Sequence, residues 1–495
     1  MSGDYSRFTN KPGKRFSGVY MQQGRVQLDA DWNEEIDILK RRWETQAMDT
    51  FGRAAVPKMT TPNGFKVVSL NPVAVGVGRM YVDGLLAERL DTDEYYSNLA
   101  LSPEPVAPAA RQQAVVYLDV FEREVTYIED PELIEPALGG PDTTTRTQVV
   151  WQVKVQTVPA ASCGLALSTI APASAGRLSS RAIVPPASSD PCVLPPTGNY
   201  RGLENRLYRV EVHQGGPIGT ATFKWSRENA SIVSQVTKID GPRITVTRLG
   251  RDKVLRFQKA DWVEVTDDVL ELAGSPGKMA KVVDFDEANQ ILVLDRDLST
   301  YFKAAELERH TRVRRWDQKK KVNVDGLVVT TGNWIALEDG IEVQIISTHG
   351  YLKTVDAWSF AARAVDGTVE ELTNEPPRVV RHHYVQLASW DGTQLHDCRR
   401  LWPEECCCCT VVVGDGVTSH GEFNDIGEAY AAAVSRCPDN QIPIRICLLP
   451  GTHRPPQTVV LQRQRVTVSG CGRATRVEAP ASGSIFQITG DFVRL

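Results

Sequence analysis

Neither sign of charge dominates this chain: 56 Lys and Arg stand against 61 Asp and Glu in 495 residues. A nucleic-acid binder needs a basic stripe with interleaved aromatics, so no nucleic-acid partner is expected. Long apolar runs are missing as well. Met1 to Gly18 carries no apolar core of signal-peptide length, and no stretch approaches the roughly 20 residues that cross a bilayer. The expectation is a protein of cytoplasmic synthesis with no membrane span. Cysteine is sparse: ten residues in so long a chain cannot build a disulfide scaffold, and reduced thiols are the default expectation. The sequence also lacks a GxSxG elbow, an HExxH pair and a GxxxxGK phosphate loop. No enzymatic activity and no cofactor are expected.

What is present is β-pattern, at a length that calls for several domains of roughly 150 residues each. Residues 1–60 read as an extended arm and an amphipathic helix. Trp32, Ile36, Leu39, Trp43, Ala47 and Phe51 recur at three- and four-residue spacing, while Glu34, Glu35, Lys40 and Arg41 take the other face. Two tryptophans on one stripe require a large packing partner, inside the subunit or between subunits. Trp32, Ile36, Leu39 and Trp43 are therefore the candidate interaction residues. Asp29 or Asp31 falls near the helix start, where negative charge is stabilised.

Residues 61–157 alternate as a β-domain, with Asp83 and Gly84 as a hairpin turn between Tyr81 and Leu85. Residues 158–199 are rich in Pro, Ala and Ser and read as a linker or ordered loop whose ends Cys163 and Cys192 could clip together. Residues 200–405 form a β-rich body with a small inserted barrel at about 241–300. The fold class expected is mainly β: a multi-domain sandwich- or barrel-like body with an N-terminal helix and, over 406–495, a Cys-rich junction and the start of a parallel β-helix.

That last reading rests on short apolar runs divided by small turn residues. Val411 to Val413, Ile442 to Leu449, Thr458 to Leu461, Arg465 to Val468, Thr475 to Glu478 and Ser484 to Ile488 alternate with glycines such as Gly470, Gly472, Gly483 and Gly490. Stacked coils need this pattern, since each buries a face on its neighbour. A helix from Phe423 to Val434, capped by Asn424 or Asp425, would cover the first coil. Asp491 to Leu495 would then leave an apolar edge that expects more chain or a partner. The alternative is an ordinary set of sandwich strands.

Cys406, Cys407, Cys408 and Cys409 are weak metal candidates. In an extended chain alternate residues face opposite sides, so the four cannot wrap one tetrahedral zinc. A turn could join Cys406 to Cys409, with Cys398, His396 or a symmetry mate completing a site; thiols could ring a trimer axis; disulfide pairing and inert buried thiols are the other readings. His382 and His383 are adjacent on a predicted strand, point apart and read as ordinary strand residues.

Three strings carry a resemblance: FSGVYMQQGRVQLDADWNE (Phe16 to Glu34), YLDVFEREVTYIEDPELIEPALGGPDTTTRTQVVWQV (Tyr117 to Val153) and NRLYRVEVHQGGPIGTATFKWSREN (Asn205 to Asn229). Over roughly residues 1–405 the chain resembles an uncharacterised domain family encoded beside contractile injection systems, the phage-tail-like particles of bacteria. The resemblance implies a structural protein of the baseplate or tail-tip region, often followed by a pectate-lyase-like β-helix, and the expected place is the baseplate, spike surround or tail fibre. The partners expected are copies of the chain itself, with trimer- or hexamer-related symmetry, other particle proteins and a cell-surface glycan. The expected location is the injection particle, with release outside the cell. No catalytic residue is carried over. A polysaccharide-degrading tailspike and a particle-borne effector or cargo are the alternatives.

Overall fold

The computed structural model describes residues 3–90, 103, 105–109, 111–183, 199–378, 380–402, 409–440, 442–470 and 472–495. The protein is mainly β, with one long helix near the N-terminus, and divides into two compact units, Met1–Arg400 and Leu401–Leu495. The sequence pattern had set the second boundary at 405/406.

In the first unit, helix α1 (Asp29–Phe51) starts with Asp29 and Asp31 in its first turn, where unpaired N–H groups favour negative charge. It closes at Gly52, whose φ of 76° lets its N–H reach the Met48 carbonyl. Gly78–Val82 and Leu85–Arg89 pair antiparallel around Asp83 and Gly84, with φ values of 46° and 91°. Two consecutive positive φ angles give the turn whose twist suits a two-residue hairpin. A Cβ on Gly84 would lie 2.6 Å from the Glu44 carbonyl oxygen, so α1 rests directly on this turn. Gly84→Ala is expected to cost about 2 kcal/mol or more, read as a lower unfolding temperature with faster amide exchange along α1.

A four-stranded sheet runs Leu395–Asp397, His383–Trp390, Ala114–Val125, Arg146–Thr157. Beside it lies a sandwich. Its larger sheet orders Val328–Val329, Thr222–Ser226, Arg206–Gln214, Ala357–Arg363 and Thr368–Val369; its smaller sheet orders Trp334–Ala336, Ile341–Ser347 and Gly176–Ala182. Tyr208, Val210, Phe223, Trp358 and Phe360 from the first meet Leu178, Val343 and Ile345 from the second in one core. Gly176–Ala182 corrects the expectation of a linker over 158–199. Its composition is loop-like, but Leu178 is buried and its pairing partner, Ile341–Ser347, lies far along the chain, where a local pattern cannot reveal it.

A closed six-stranded barrel follows, built from Val233–Asp240, Arg243–Val246, Trp262–Thr266, Lys278–Asp286, Ile291–Leu294 and Arg312–Trp316. It extends on both sides of the 241–300 read from sequence, because Val233–Asp240 and Arg312–Trp316 pair with each other to close it. Val236, Ile244, Val263, Val265, Leu292 and Val313 fill it. The short helix α2 (Asp268–Leu272) is capped by the Asp267 carboxylate, which accepts the Leu270 N–H at 2.9 Å.

From Val411 onward the strand pairings described in the second unit are parallel. Val411–Val413, Ile444–Leu448 and Val466–Gly470 form one sheet, Gly451–His453 pairs with Thr475–Val477, and Val459–Leu461 with Phe486–Ile488. Helix α3 (Ile426–Arg436), capped by Asp425 on the Glu428 N–H, lays Ile426, Ala429 and Ala433 onto Val411, Val413, Ile446 and Leu461. Asp415 pins the turn after the first strand: its carboxylate accepts from Val417, Thr418 and Ser419 N–H groups and the Thr418 hydroxyl. The Thr418 hydroxyl first, then these amides, hold its pKa far below the carboxylate range.

Candidate assembly surface and buried ionic junction

Helix α1 turns part of its polar side inward. Lys40 Nζ donates to Glu122 at 2.6–2.7 Å on the strand Ala114–Val125, Thr9 Oγ donates to Glu34, and the Val19 N–H donates to Glu35. Burial pushes the Asp37 and Glu44 carboxyls above their ordinary range. Among the helix's apolar side chains only Ala30 and Ile38 are fully buried, although Phe51 packs a ring on Tyr81 at 4.9 Å. The tryptophan stripe faces out: Trp32 is 59 % exposed, Ile36 43 % and Trp43 64 %, with Leu39 half-buried between them. The structure brings these four residues onto one surface, and among the described residues nothing covers most of Trp32 and Trp43. In the arm before the helix, Phe16, Tyr20, Met21, Val26 and Leu28 are exposed too. Isolated exposed apolar residues are ordinary, but a concentration of this kind makes the face a candidate interaction surface.

A second constellation lies inside the first unit. The strand Arg206–Gln214 points Tyr208, Val210 and Val212 into the sandwich core and Arg209, Glu211 and His213 the other way, toward the outer wall of the barrel. There Lys224 Nζ lies 3.2 Å from Glu211 Oε1 and 2.5 Å from Glu264 Oε2. The Trp316 indole N–H donates to Glu264 at 3.1 Å, and the Gly277 N–H at 3.0 Å. Arg209 Nε completes Glu211 at 2.8 Å. Burial raises the carboxyl pKa values, but Lys224 and then His213 outweigh it and hold Glu264 well below the usual range; Lys224 and Arg209 do the same for Glu211. On the same cavity, Arg312 gathers Asp268 at 2.8 Å and Glu129 at 3.1 Å, together with Glu271, while His310 reaches Asp268 at 2.8 Å. The adjoining cavity holds about 200 Å³.

Chemically, this junction is an ionic clasp. Glycoside hydrolysis requires one carboxyl held protonated near neutrality as the acid, whereas Glu211 and Glu264 are both held ionised. Nothing in the sequence marked these residues as a group, since their chain positions are scattered. The one available signal was charge of both signs on the polar side of strands whose other side is strongly apolar.

The cysteines pair. Cys163 bonds Cys398 with 5.2 Å between Cα atoms, and Cys409, just before Val411–Val413, bonds Cys447 on Ile444–Leu448 at 5.3 Å. Both correct the expectation of reduced thiols, and the first corrects the Cys163–Cys192 clip, Cys192 lying outside the described residues. Cys409 is thereby removed from the metal candidates; Cys406, Cys407 and Cys408 also lie outside the described residues. Among the described residues no cluster of three or more His, Cys, Asp or Glu is arranged to hold a metal. His382 and His383 do point apart: His382 meets Asp119 at 2.8 Å and His383 meets Asp83 at 3.1 Å. Despite burial, His382 and Lys154 hold Asp119 low, and His383 and Arg53 hold Asp83 down to about 2. No helix among the described residues is long and apolar enough to cross a membrane.

The sequence matches a family described as "Family of unknown function (DUF6519)" over residues 1–182 and 163–413. No curated protein and no solved structure matches the chain.

Proposed function

We propose that this chain, which belongs to the DUF6519 family, is a structural component of a contractile injection particle, at the baseplate, spike surround or tail fibre. It works by assembly contacts rather than by turnover, with copies of itself and other particle proteins as partners. The observation that carries this reading is the mounting of α1, with Lys40, Asp37 and Glu44 against the body and Trp32, Ile36 and Trp43 in solvent. Such a face loses free energy in water and regains it when covered, at roughly 25 cal/mol per Å² of apolar area.

The second unit is read as the start of a pectate-lyase-like parallel β-helix. Supporting this, its strands return to parallel register roughly 25 residues later, a period typical of stacked coils. Its outward surface would serve recognition of a cell-surface glycan. As a glycan-cleaving site it is poorly equipped. Among the described residues, Glu478 is neutralised by Arg454 at 2.7 Å and Asp415 is committed to its own turn.

Trp43→Asp is the direct test. Because Trp43 is exposed, the variant is expected to fold with an unchanged unfolding temperature but to be missing from purified particles, with matching loss of density in electron micrographs. Wild-type copy number in particles built with the variant would sink the proposal, as would release of reducing ends from a bacterial glycan by the purified chain.

A further inference from the structure

The outward face of α1 has an internal symmetry that selects its partner. Read from either end, the stripe is the same: Trp, three residues, an aliphatic residue, two residues, an aliphatic residue, three residues, Trp. The midpoint falls between Asp37 and Ile38. From this we infer that the surface pairs with a second copy of itself, α1 lying antiparallel on α1 across a local two-fold axis at that midpoint. The inference rests on the assembly reading above and names the partner of the same surface.

Under that axis Trp32 stacks against the second copy's Trp43, and Ile36 against the second copy's Leu39. Spacing of four, three and four residues is the seam of helices that pack knobs into holes. An isologous contact demands such self-complementarity, since every residue of the patch must meet its counterpart twice. Charge fits the antiparallel sense. Arg41 and Arg42 are exposed and in no ion pair among the described residues, whereas the first half of the helix is acidic, with Asp31, Glu34 and Glu35. Antiparallel pairing sets Arg42 beside the second copy's Glu35 on the solvent flank, at both ends of the contact. A parallel pair would instead seek its cation in Lys40, already held by Glu122. Opposed helix dipoles favour the same sense.

The area is adequate only if the arm takes part. The two tryptophans supply on the order of 300 Å² per copy, against roughly 800 Å² per partner in a standard interface. The Val19 bond to Glu35 holds the segment with Tyr20, 94 % exposed, and Met21 beside the seam, where it can provide the remainder.

The test uses full-length chains. Ile36→Cys and Leu39→Cys chains are mixed, oxidised and digested, and linked peptides are identified by mass spectrometry. The expected product joins position 36 of one variant to position 39 of the other. Links of 36 to 36 and 39 to 39 in the separate chains, with no mixed product, would overturn the antiparallel register. Sedimentation of the unmodified chain is expected to show a dimer whose dissociation constant rises roughly 100-fold or more in Trp43→Asp; a wild-type monomer at all concentrations overturns the self-pairing. The two readings fail separately. A monomeric wild type that still needs Trp43 to enter particles leaves the assembly role standing, and a 36-to-39 link with normal incorporation of Trp43→Asp leaves only the dimer.

Discussion

Lys224→Met is expected to be among the most damaging single substitutions in the protein. Lys224 is 2 % exposed and serves two buried carboxylates, Glu211 and Glu264, while its ammonium also lies 4.6 Å from the Trp316 ring centre. Methionine fits the volume but leaves one negative charge uncompensated in the junction. Removing one partner of a buried pair costs about 3–5 kcal/mol. Urea unfolding at pH 7 measures it; a loss below about 1 kcal/mol would show the junction to be wet and its charges independently solvated.

The same site sets a pH dependence whose sign follows from proton uptake. Glu211, Glu264 and Asp268 have folded pKa values below their ordinary ones. The unfolded chain therefore binds more protons through the mildly acid range, and stability falls as pH drops. Their contribution is complete above about pH 5 and is lost progressively as pH falls toward the folded values. In Lys224→Met the dominant counter-charge is gone and burial raises Glu264 instead, so that variant gains relative stability on acidification. The gap between the two proteins should be wide at pH 7 and narrow at pH 4.5, as measured by unfolding at both.

Opening the Cys163–Cys398 bond is the second large effect expected. The bond closes a loop with a sequence separation of 235 residues, for which loop-closure entropy amounts to about 5 kcal/mol. It anchors the segment after Arg146–Thr157 to the end of the four-stranded sheet, where Gly164 N–H and Ser162 O also bond the Gln386 amide. Cys163→Ser with Cys398→Ser should lower the unfolding temperature of the first unit strongly. Reductant should do the same to the wild type and should leave the first unit of the double variant unaffected. An equal reductant effect in both proteins would assign the stabilisation elsewhere.

What the sequence disclosed divides along a physical line. Features written in neighbouring residues were legible: the mainly β character, the helix with its aspartates at the start, the Asp83–Gly84 turn and the Asp425 cap of α3. Features made by distant partners were not. Gly176–Ala182 has a loop's composition and becomes a strand only beside Ile341–Ser347. Cys163 finds Cys398 rather than a thiol of its own segment. The stripe of α1 was visible as a stripe, but periodicity reports that a helix has two faces and not which one its own subunit covers. Arg209, Glu211 and His213 look like a solvent face by alternation, and all three are buried because a second domain presses on them.

That shared wall makes the barrel a poor candidate for excision. Cutting out 231–317 would strip Glu264, Arg312 and Trp316 of their cover and leave Arg209, Glu211 and Lys224 facing water across the wound. Sandwich and barrel should accordingly melt as one cooperative block, with the slowest-exchanging amides along Arg206–Gln214. Sequence drift in the barrel should then be freest on the strands turned away from that seam, such as Arg243–Val246 and Ile291–Leu294.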